Sequence, residues 1–267
     1  LIKSDNLKLL ESMELYCLIR SVLYHDVGNI YGRGGHQEMV AKIYDLSNIG
    51  DNRPEKNHIL KVVKAHTGLG LDGTKDTLKD FDDLPVSMHR KPIRLKEIAA
   101  ILRFADELAE GTERTSLFMQ QTHGYSKENQ IYHDYAQITD ILADRGNERI
   151  AITYNIPVNI NGDKITKAEE NRLKKLIDFT QKRLVKLNQE RQYATYYSNV
   201  LQPFKKITVR YNFDINGKQY EINMPEINNL IIPGDETRPL SDFNSKYLFA
   251  NIINSIREFY KGNSHAR

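Results

Sequence analysis

The sequence predicts an α+β protein, with an all-helical N-terminal half followed by a smaller α+β module that combines a short antiparallel sheet with a long helix. Three observations support this prediction. Apolar residues recur at helical spacing up to about Ala109, the segment Arg149–Val158 alternates apolar and polar residues, and an Asn216-Gly217 pair separates two further alternating segments. We place the two domains at residues 1–145 and 146–267.

The helical half contains three segments with clear helical spacing. These are Met13–Tyr24, His58–Ala65 and Ile98–Leu108. Between the second and third segments, the stretch from Gly68 to Pro92 is rich in Asp, Lys, Gly and Thr and ends in two prolines. This composition favours a long polar connection or lid.

The second half opens with the alternating strand, and a helix with a recognisable start follows it. Thr166 has Glu169 three residues after it, the spacing of a helix N-terminal capping pair, and the charged helix extends to about Ser198. A single apolar stripe predicts that this helix lies on a sheet or on another helix; the stripe consists of Leu173, Leu176, Ile177, Leu184 and Leu187.

The Asn216-Gly217 pair predicts a β-hairpin, because both residues accept the left-handed backbone that two-residue hairpin turns require. Its strands are predicted at Lys206–Phe213 and Gln219–Met224. A final helix is predicted from about Asp242 to Tyr260.

Composition and charge exclude several classes of protein. The 267 residues contain 38 Lys and Arg against 35 Asp and Glu, a formal net charge of +3, which is unlike a basic nucleic-acid coat or an acidic disordered tail. Cys17 is the only cysteine, so an intrachain disulfide framework and a cysteine-rich zinc site are excluded. No apolar run approaches the roughly 20 residues of a membrane helix. We therefore expect a cytoplasmic protein with no membrane partner.

Five residues carry the chemistry. His25 and Asp26 are adjacent at the end of an apolar helix, where a turn at Gly28 can bring both side chains to one ion. His36, His66 and Asp106 complete the set, and Asp106 interrupts a strongly apolar helix surface, where an ionised carboxylate is costly unless it is paired or metal-bound. Three imidazoles and two carboxylates are a mixture that borderline divalent metals prefer.

These residues give the chain a resemblance to the HD-domain superfamily of metal-dependent phosphohydrolases. The string His25-Asp26-Val27-Gly28-Asn29 is similar to the paired motif of that superfamily, and Phe104-Ala105-Asp106-Glu107-Leu108 is similar to the segment with its distal aspartate. The resemblance covers about residues 10 to 115. It implies that His25, Asp26 and Asp106 bind a first metal, and that His36 and His66 match the additional histidines of two-metal members.

One feature departs from the superfamily pattern, in which a further histidine precedes the His-Asp pair. No histidine precedes His25 here, and the chain begins at Leu1 rather than at a methionine. We expect the missing ligand in a segment upstream of residue 1; a degenerate site is the alternative. The second half resembles, more loosely, the α/β extension of bacterial HD proteins that are coupled to Hsp90-like ATPase regions. This implies an ATPase region or a partner chain as a candidate partner.

The resemblance implies hydrolysis of a phosphate ester or anhydride by a water that one or two divalent ions activate, with Fe, Mn or Zn as the expected metals and Mg as a further candidate. Asp26 and His25 are predicted to act at the catalytic centre, and Arg33 and Arg103 to hold phosphate groups; ion pairs or solvent contacts are the alternative for both arginines.

A nucleotide is the expected substrate, because His66-Thr67-Gly68 is similar to the corresponding stretch of bacterial diadenosine polyphosphate hydrolases. The Gly-Tyr-Pro hallmark of cyclic di-GMP phosphodiesterases is absent from the sequence.

Two other functions stay open at this point. A catalytically degenerate module could serve as a ligand sensor or assembly scaffold, and a nuclease could use the same metals. The near-neutral charge argues against nucleic acid as a partner. Three tyrosines at helical spacing in the long helix are interpreted as a domain or subunit contact, which would fit an oligomer; they are Tyr193, Tyr196 and Tyr197.

Overall fold

A computed structural model describes most of the chain. The described residues are 1–2, 5–31, 36–47, 53–66, 70–115, 129–160, 164–228, 240 and 244–264. Within them, the side chains of residues 7, 36–38 and 263–264 are not described.

The chain forms two compact units that do not follow the predicted division at residue 145. Among the described residues, the first unit contains Leu1–Glu107 and Glu190–Pro203, and the second contains Leu108–Gln189 and the segments after Pro203. The difference has two causes. The strand that begins at Thr139 pairs with Arg149–Val158, which brings the residues before 145 into the second unit. The segment after Glu190 supplies buried partners to the first unit.

The described residues of the first unit are mainly helical, as predicted, and add one small hairpin and an isolated bridge between Ile2 and Leu201. Its elements in chain order are α1 (Ser12–Tyr24), α2 (His36–Ser47), α3 (Arg53–Ala65), β1 (Val86–Met88), β2 (Lys91–Ile93) and all but the last residue of α4 (Leu95–Leu108). Short 3-10 helices lie at Asp5–Leu9, Val27–Tyr31 and Leu78–Asp80.

Helix α4 is the most deeply buried helix of this unit among the described residues. Ile98, Ala99, Leu102 and Phe104 are each at most 2% exposed. The helix therefore lies in the core of the unit, and polar residues on it must find partners inside the protein.

The β1–β2 hairpin lies in the segment that the sequence predicted to be a polar connection. Its two-residue turn places His89 and Arg90 at positive φ, 50° and 63°. Such turns usually contain Asn or Gly, so these residue types give no hairpin signal. The Nε2 atom of His89 lies 3.1 Å from Oε2 of the buried Glu55, a contact that offsets the cost of the turn.

The second unit contains a four-stranded sheet with helices. Its elements are α5 (Gln130–Ile138), β3 (Thr139–Asp144), β4 (Arg149–Val158), α6 (Lys167–Tyr197), β5 (Lys206–Ile215), β6 (Lys218–Asn223) and α7 (Phe249–Ser264). Helix α6 belongs to this unit up to Gln189, and its last residues belong to the first unit. The strand order is β3-β4-β5-β6. The outer pairs are antiparallel, but β4 and β5 are parallel, because the α6 crossover between them returns the chain in the same direction.

Several predicted elements are confirmed in this unit. The alternating strand is β4, and the hairpin between β5 and β6 turns at Asn216 and Gly217, both at positive φ. Thr166 caps α6, since its hydroxyl accepts a hydrogen bond from the Glu169 amide at 3.2 Å. The last helix, α7, begins later than predicted.

Helix α6 carries the predicted apolar stripe, and all five residues of that stripe are buried. Its remaining surface is strongly charged. No described helix combines the length and the apolar character that crossing a bilayer requires.

The Glu14 carboxylate is buried and accepts four hydrogen bonds, three of which come from Arg94 and hold α1 against the start of α4. Arg94 donates from its backbone, Nε and Nη2 atoms at 2.9, 2.7 and 2.7 Å, and the Glu11 amide donates at 3.0 Å. Burial by itself raises the pKa of Glu14, but the hydrogen bonds from Arg94 and Glu11 outweigh it, and the pKa lies below its ordinary value of 4.5.

We predict that Glu14 contributes stability at neutral pH that is lost on acidification. Because its pKa is lower in the folded state, the unfolded chain binds the proton first, so stability falls as the pH drops below about 4.5. Glu14→Gln should lower the free energy of unfolding at pH 7 by about 1.5–3 kcal/mol. Urea unfolding at pH 7 and at about pH 3.5 tests this prediction: the difference between wild type and variant should shrink at the lower pH, and an unchanged difference would contradict it.

Candidate metal centre

His25 and Asp26 lie where α1 ends and the backbone changes direction, as predicted. The His25 amide donates to the Ser21 carbonyl at 2.9 Å and closes the last turn of α1. A turn at residues 25–26 leads into the 3-10 helix Val27–Tyr31, in which Gly28 is buried and is not among the residues at positive φ. This change of helix type lets two adjacent side chains approach the same point.

His25, Asp26 and Asp106 converge. The Nε2 atom of His25 lies 3.4 Å from Oδ1 of Asp106 and 3.7 Å from Oδ2 of Asp26. One donor atom from each of the three residues lies within 4.8 Å of the other two. The predicted convergence of the HD pair with the distal aspartate is therefore present in the geometry.

His66 extends this cluster from the end of α3. Its Nε2 atom lies 3.6 Å from Oδ1 of Asp26, and its ring meets the His25 ring edge to face at 5.2 Å between centroids. The His66 side chain is only 1% exposed. We refer to His25, Asp26, His66 and Asp106 as the four-residue cluster.

Backbone carbonyls orient both imidazole rings. Nδ1 of His25 lies 2.8 Å from the Val22 carbonyl, and Nδ1 of His66 contacts the Val63 carbonyl. A carbonyl only accepts hydrogen bonds, so each Nδ1 carries the proton and each Nε2 faces the carboxylates. Metal-binding histidines are commonly held in this way by a carbonyl behind the ring.

The residues around His25 change the pKa of its imidazole. Burial lowers its pKa, but the Asp106 carboxylate, the Val22 carbonyl and the Asp26 charge together raise the pKa above its ordinary value. The cluster therefore stabilises a positive charge at the position of its imidazole.

The donor set fits a divalent transition metal. The separations of 3.4–3.7 Å are longer than good hydrogen bonds, whose heavy atoms lie about 2.7–3.2 Å apart. Donor atoms that share one ion at bond lengths of about 2.1 Å lie roughly 3.0–3.5 Å apart when they are adjacent, so the 3.4 Å separation lies within this range and the 3.6 and 3.7 Å separations lie slightly above it. Imidazole nitrogen together with carboxylate oxygen suits Fe, Mn and Zn.

Two predicted site residues lie outside the described part of the site. Arg33 is not among the described residues, and His36 begins α2 with a side chain that is not described. Their proposed roles stay predictions.

Arg103 is in an ion pair. Its guanidinium binds both carboxylate oxygens of Glu190, at 2.5 and 2.8 Å, and its carbon lies 4.4 Å from the centre of the Tyr193 ring. This is the ion-paired alternative of the sequence analysis, and the described contacts give no support to a phosphate-binding role.

Sequence reasoning missed the buried partners of Arg103, foremost Glu190 and Thr77. Glu190 is 87 residues from Arg103 and sits among other charged residues of a long helix, so no local pattern marks it. Thr77 lies in the segment predicted to be a polar connection, yet it is buried.

Comparison with known proteins gives one match. The HD-CE family model matches residues 1–186, which include all four residues of the cluster. Neither the curated proteins nor the solved structures contain a match.

We predict that Asp106→Asn removes most of the metal affinity while preserving side-chain shape. The amide has no charge to neutralise a divalent cation, so the dissociation constant for Mn²⁺ should rise by about 100-fold or more. Titration calorimetry on metal-stripped protein measures this constant.

The matched control uses the second His-Asp pair in the sequence, His133-Asp134, which lies on α5 in the other unit. His133→Ala should bind Mn²⁺ with wild-type affinity. Equal affinities for Asp106→Asn and wild type would contradict the assignment.

Proposed function

This chain belongs to the HD-CE family, an HD-domain family, and we propose that it is a metal-dependent phosphohydrolase that cleaves a phosphate ester or anhydride of a nucleotide. The observation that carries the proposal is the convergence of two imidazole Nε2 atoms and two carboxylates in the four-residue cluster. Each member comes from the end or the last turns of a helix, and together they offer donors of the type that hydrolytic metals use.

The residues of this cluster would hold one or two divalent ions, with Fe, Mn or Zn favoured by the imidazoles and Mg a further candidate. A divalent ion bound there lowers the pKa of a water toward neutrality and neutralises charge on a phosphoryl oxygen.

Asp26 is suited to serve two ions. Its Oδ2 atom faces His25 at 3.7 Å, and its Oδ1 atom faces His66 at 3.6 Å. One carboxylate with an imidazole on each side can act as the shared ligand between two positions. His25 and Asp106 would complete one position, while His66, with His36 as a proposed partner, would complete the other.

The Val22 carbonyl fixes the direction of the His25 ring, so that its Nε2 atom faces Asp26 and Asp106 as a candidate metal ligand. Arg33, which precedes His36 in a glycine-rich segment, is the proposed phosphate-binding residue. Arg103 is not included in this role, because Glu190 occupies its guanidinium.

We predict that the metal-loaded protein releases inorganic phosphate or a nucleoside phosphate from members of a nucleotide panel. The panel should contain nucleoside triphosphates, cyclic nucleotides and dinucleoside polyphosphates, each assayed with Mn²⁺, Fe²⁺, Zn²⁺ and Mg²⁺. Asp26→Asn should lower kcat by about 100-fold or more, since it removes the charge that both metal positions share.

The control is again His133→Ala, which should keep wild-type turnover. The opposite outcome is a wild-type protein that binds two equivalents of metal and hydrolyses none of the panel. That result would contradict the proposed hydrolase activity and would favour the alternative of a sensor or scaffold.

A further inference from the structure

We infer that Arg103 is a positioning residue for the four-residue cluster: its guanidinium fixes the end of α3, which carries His66, to α4, which carries Asp106. The inference rests on the proposed function, because it assumes that the cluster binds metal. It assigns a role to a largely buried, bidentate ion pair that the proposed chemistry does not use.

The Arg103 side chain is held on two sides. Glu190 accepts from its Nε and Nη2 atoms in a bidentate pair, and the Tyr193 ring lies against the guanidinium at 4.4 Å. The Arg103 and Glu190 side chains are only 11% and 10% exposed. A planar group with this many constraints has one orientation.

The remaining Nη1 atom points at the end of α3. It donates to the Thr77 hydroxyl at 2.9 Å and to the Ala65 carbonyl at 3.4 Å. The Thr77 hydroxyl in turn donates to the same carbonyl at 2.6 Å. Ala65 is the last residue of α3, where helix carbonyls lack partners within the helix and a cation is favourable.

His66 follows Ala65 directly, so whatever fixes this carbonyl fixes the backbone that carries the imidazole. The His66 ring is turned back onto the Val63 carbonyl of the same helix, which makes it a rigid extension of the α3 terminus. The position of its Nε2 atom next to Asp26 therefore depends on the position of that terminus.

Arg103 also stands one turn before Asp106 on α4, a spacing that puts both residues on neighbouring positions of the helix surface. Because of this spacing, α4 presents the Asp106 carboxylate to His25 and, through Arg103, also contacts the end of α3 that precedes His66. Metal sites tolerate displacements of only about 0.5 Å in their ligands, so a loose connection between α3 and α4 should weaken the site.

Lysine cannot replace arginine in this arrangement. Its single ammonium group cannot span the two oxygens of Glu190 and also reach Thr77. Arg103→Lys keeps the charge and Arg103→Gln removes it, so the pair separates the effect of geometry from the effect of charge. Thr77→Val removes the hydroxyl that bridges Arg103 and the Ala65 carbonyl, without leaving a buried charge alone.

The experiment measures Co²⁺ binding to the full chain after metal removal, by visible absorption, at a temperature well below the melting temperature of every variant. Wild type should bind Co²⁺ at the cluster. We expect Arg103→Lys, Arg103→Gln and Thr77→Val each to raise the dissociation constant by about tenfold or more and to shift the absorption bands. A change in band shape reports a change in ligand geometry, which a loss of stability alone does not produce.

The matched control is Arg172→Gln. It breaks another bidentate arginine–glutamate pair, with Glu169, near the start of α6 in the second unit, which carries no residue of the four-residue cluster. We expect Arg172→Gln to leave the Co²⁺ affinity and spectrum unchanged.

The outcomes separate the inference from its premise. If Arg103 and Thr77 variants bind Co²⁺ like wild type, or if Arg172→Gln weakens binding as much as they do, the positioning role is overturned and the metal site stands. If wild type binds no Co²⁺, the proposed function is overturned, and the positioning role with it.

Discussion

The first unit depends on one electrostatic constraint: two carboxylates and two imidazoles must meet at a site where His66 is buried and the other three side chains are partly exposed. His66 is almost completely buried, and an isolated charge there would cost several kcal/mol. The cost is tolerable because each carboxylate faces an imidazole: Asp106 faces His25, and Asp26 faces both histidines. The meeting point lies near the ends of α1, α3 and α4, so the cluster constrains where these three helices end relative to one another.

Helix α4 connects several segments of the first unit through hydrogen bonds and ion pairs of its polar residues. Beside its apolar core residues it carries polar groups at buried positions, and the described partners come from distant parts of the sequence. Glu97 accepts from the Ser198 hydroxyl and, at 2.9 Å, from the Asn199 amide. Arg103 pairs with Glu190, and Asp106 faces His25. Because α4 is both the core helix and the polar connector, its register is fixed by packing and by hydrogen bonds together.

Local sequence patterns predicted the structural features that depend on residues close together in the sequence. The end of α1 at the His25-Asp26 pair, the β4 strand and the Asn216-Gly217 turn all follow from backbone preference and apolar spacing. The β1–β2 hairpin was not predicted, because His89 and Arg90 are atypical residues for its turn. Tertiary contacts, such as that between His89 and Glu55, stabilise the turn instead.

Features set by partners far apart in the chain were beyond local patterns. The parallel pairing of β4 with β5 spans the whole of α6 and follows from the crossover rather than from either strand. For the candidate site, residue types and spacing were enough to nominate the four-residue cluster. They were not enough to distinguish a substrate-binding arginine from a buried, ion-paired one. The residue that pairs with Arg103 is Glu190, which lies 87 residues later in the sequence.

The same long-range dependence explains why the division at residue 145 and the structural division differ. The segment Glu190–Pro203 belongs to the first unit because it completes buried groups there. Glu190 neutralises Arg103, and Ser198 and Asn199 satisfy Glu97.

The tyrosines of this segment act in the same way. The hydroxyls of Tyr193 and Tyr197 donate to the Asp76 carboxylate at 2.7 and 2.9 Å, which accounts for two of the three tyrosines interpreted as a contact surface. A buried charge that loses its partner costs about 3–5 kcal/mol, a large part of the 5–15 kcal/mol by which a domain is stable. The first unit is therefore discontinuous in sequence for an energetic reason: Glu97 and Arg103 of α4, and Asp76 after α3, obtain these partners only when the chain returns at the end of α6.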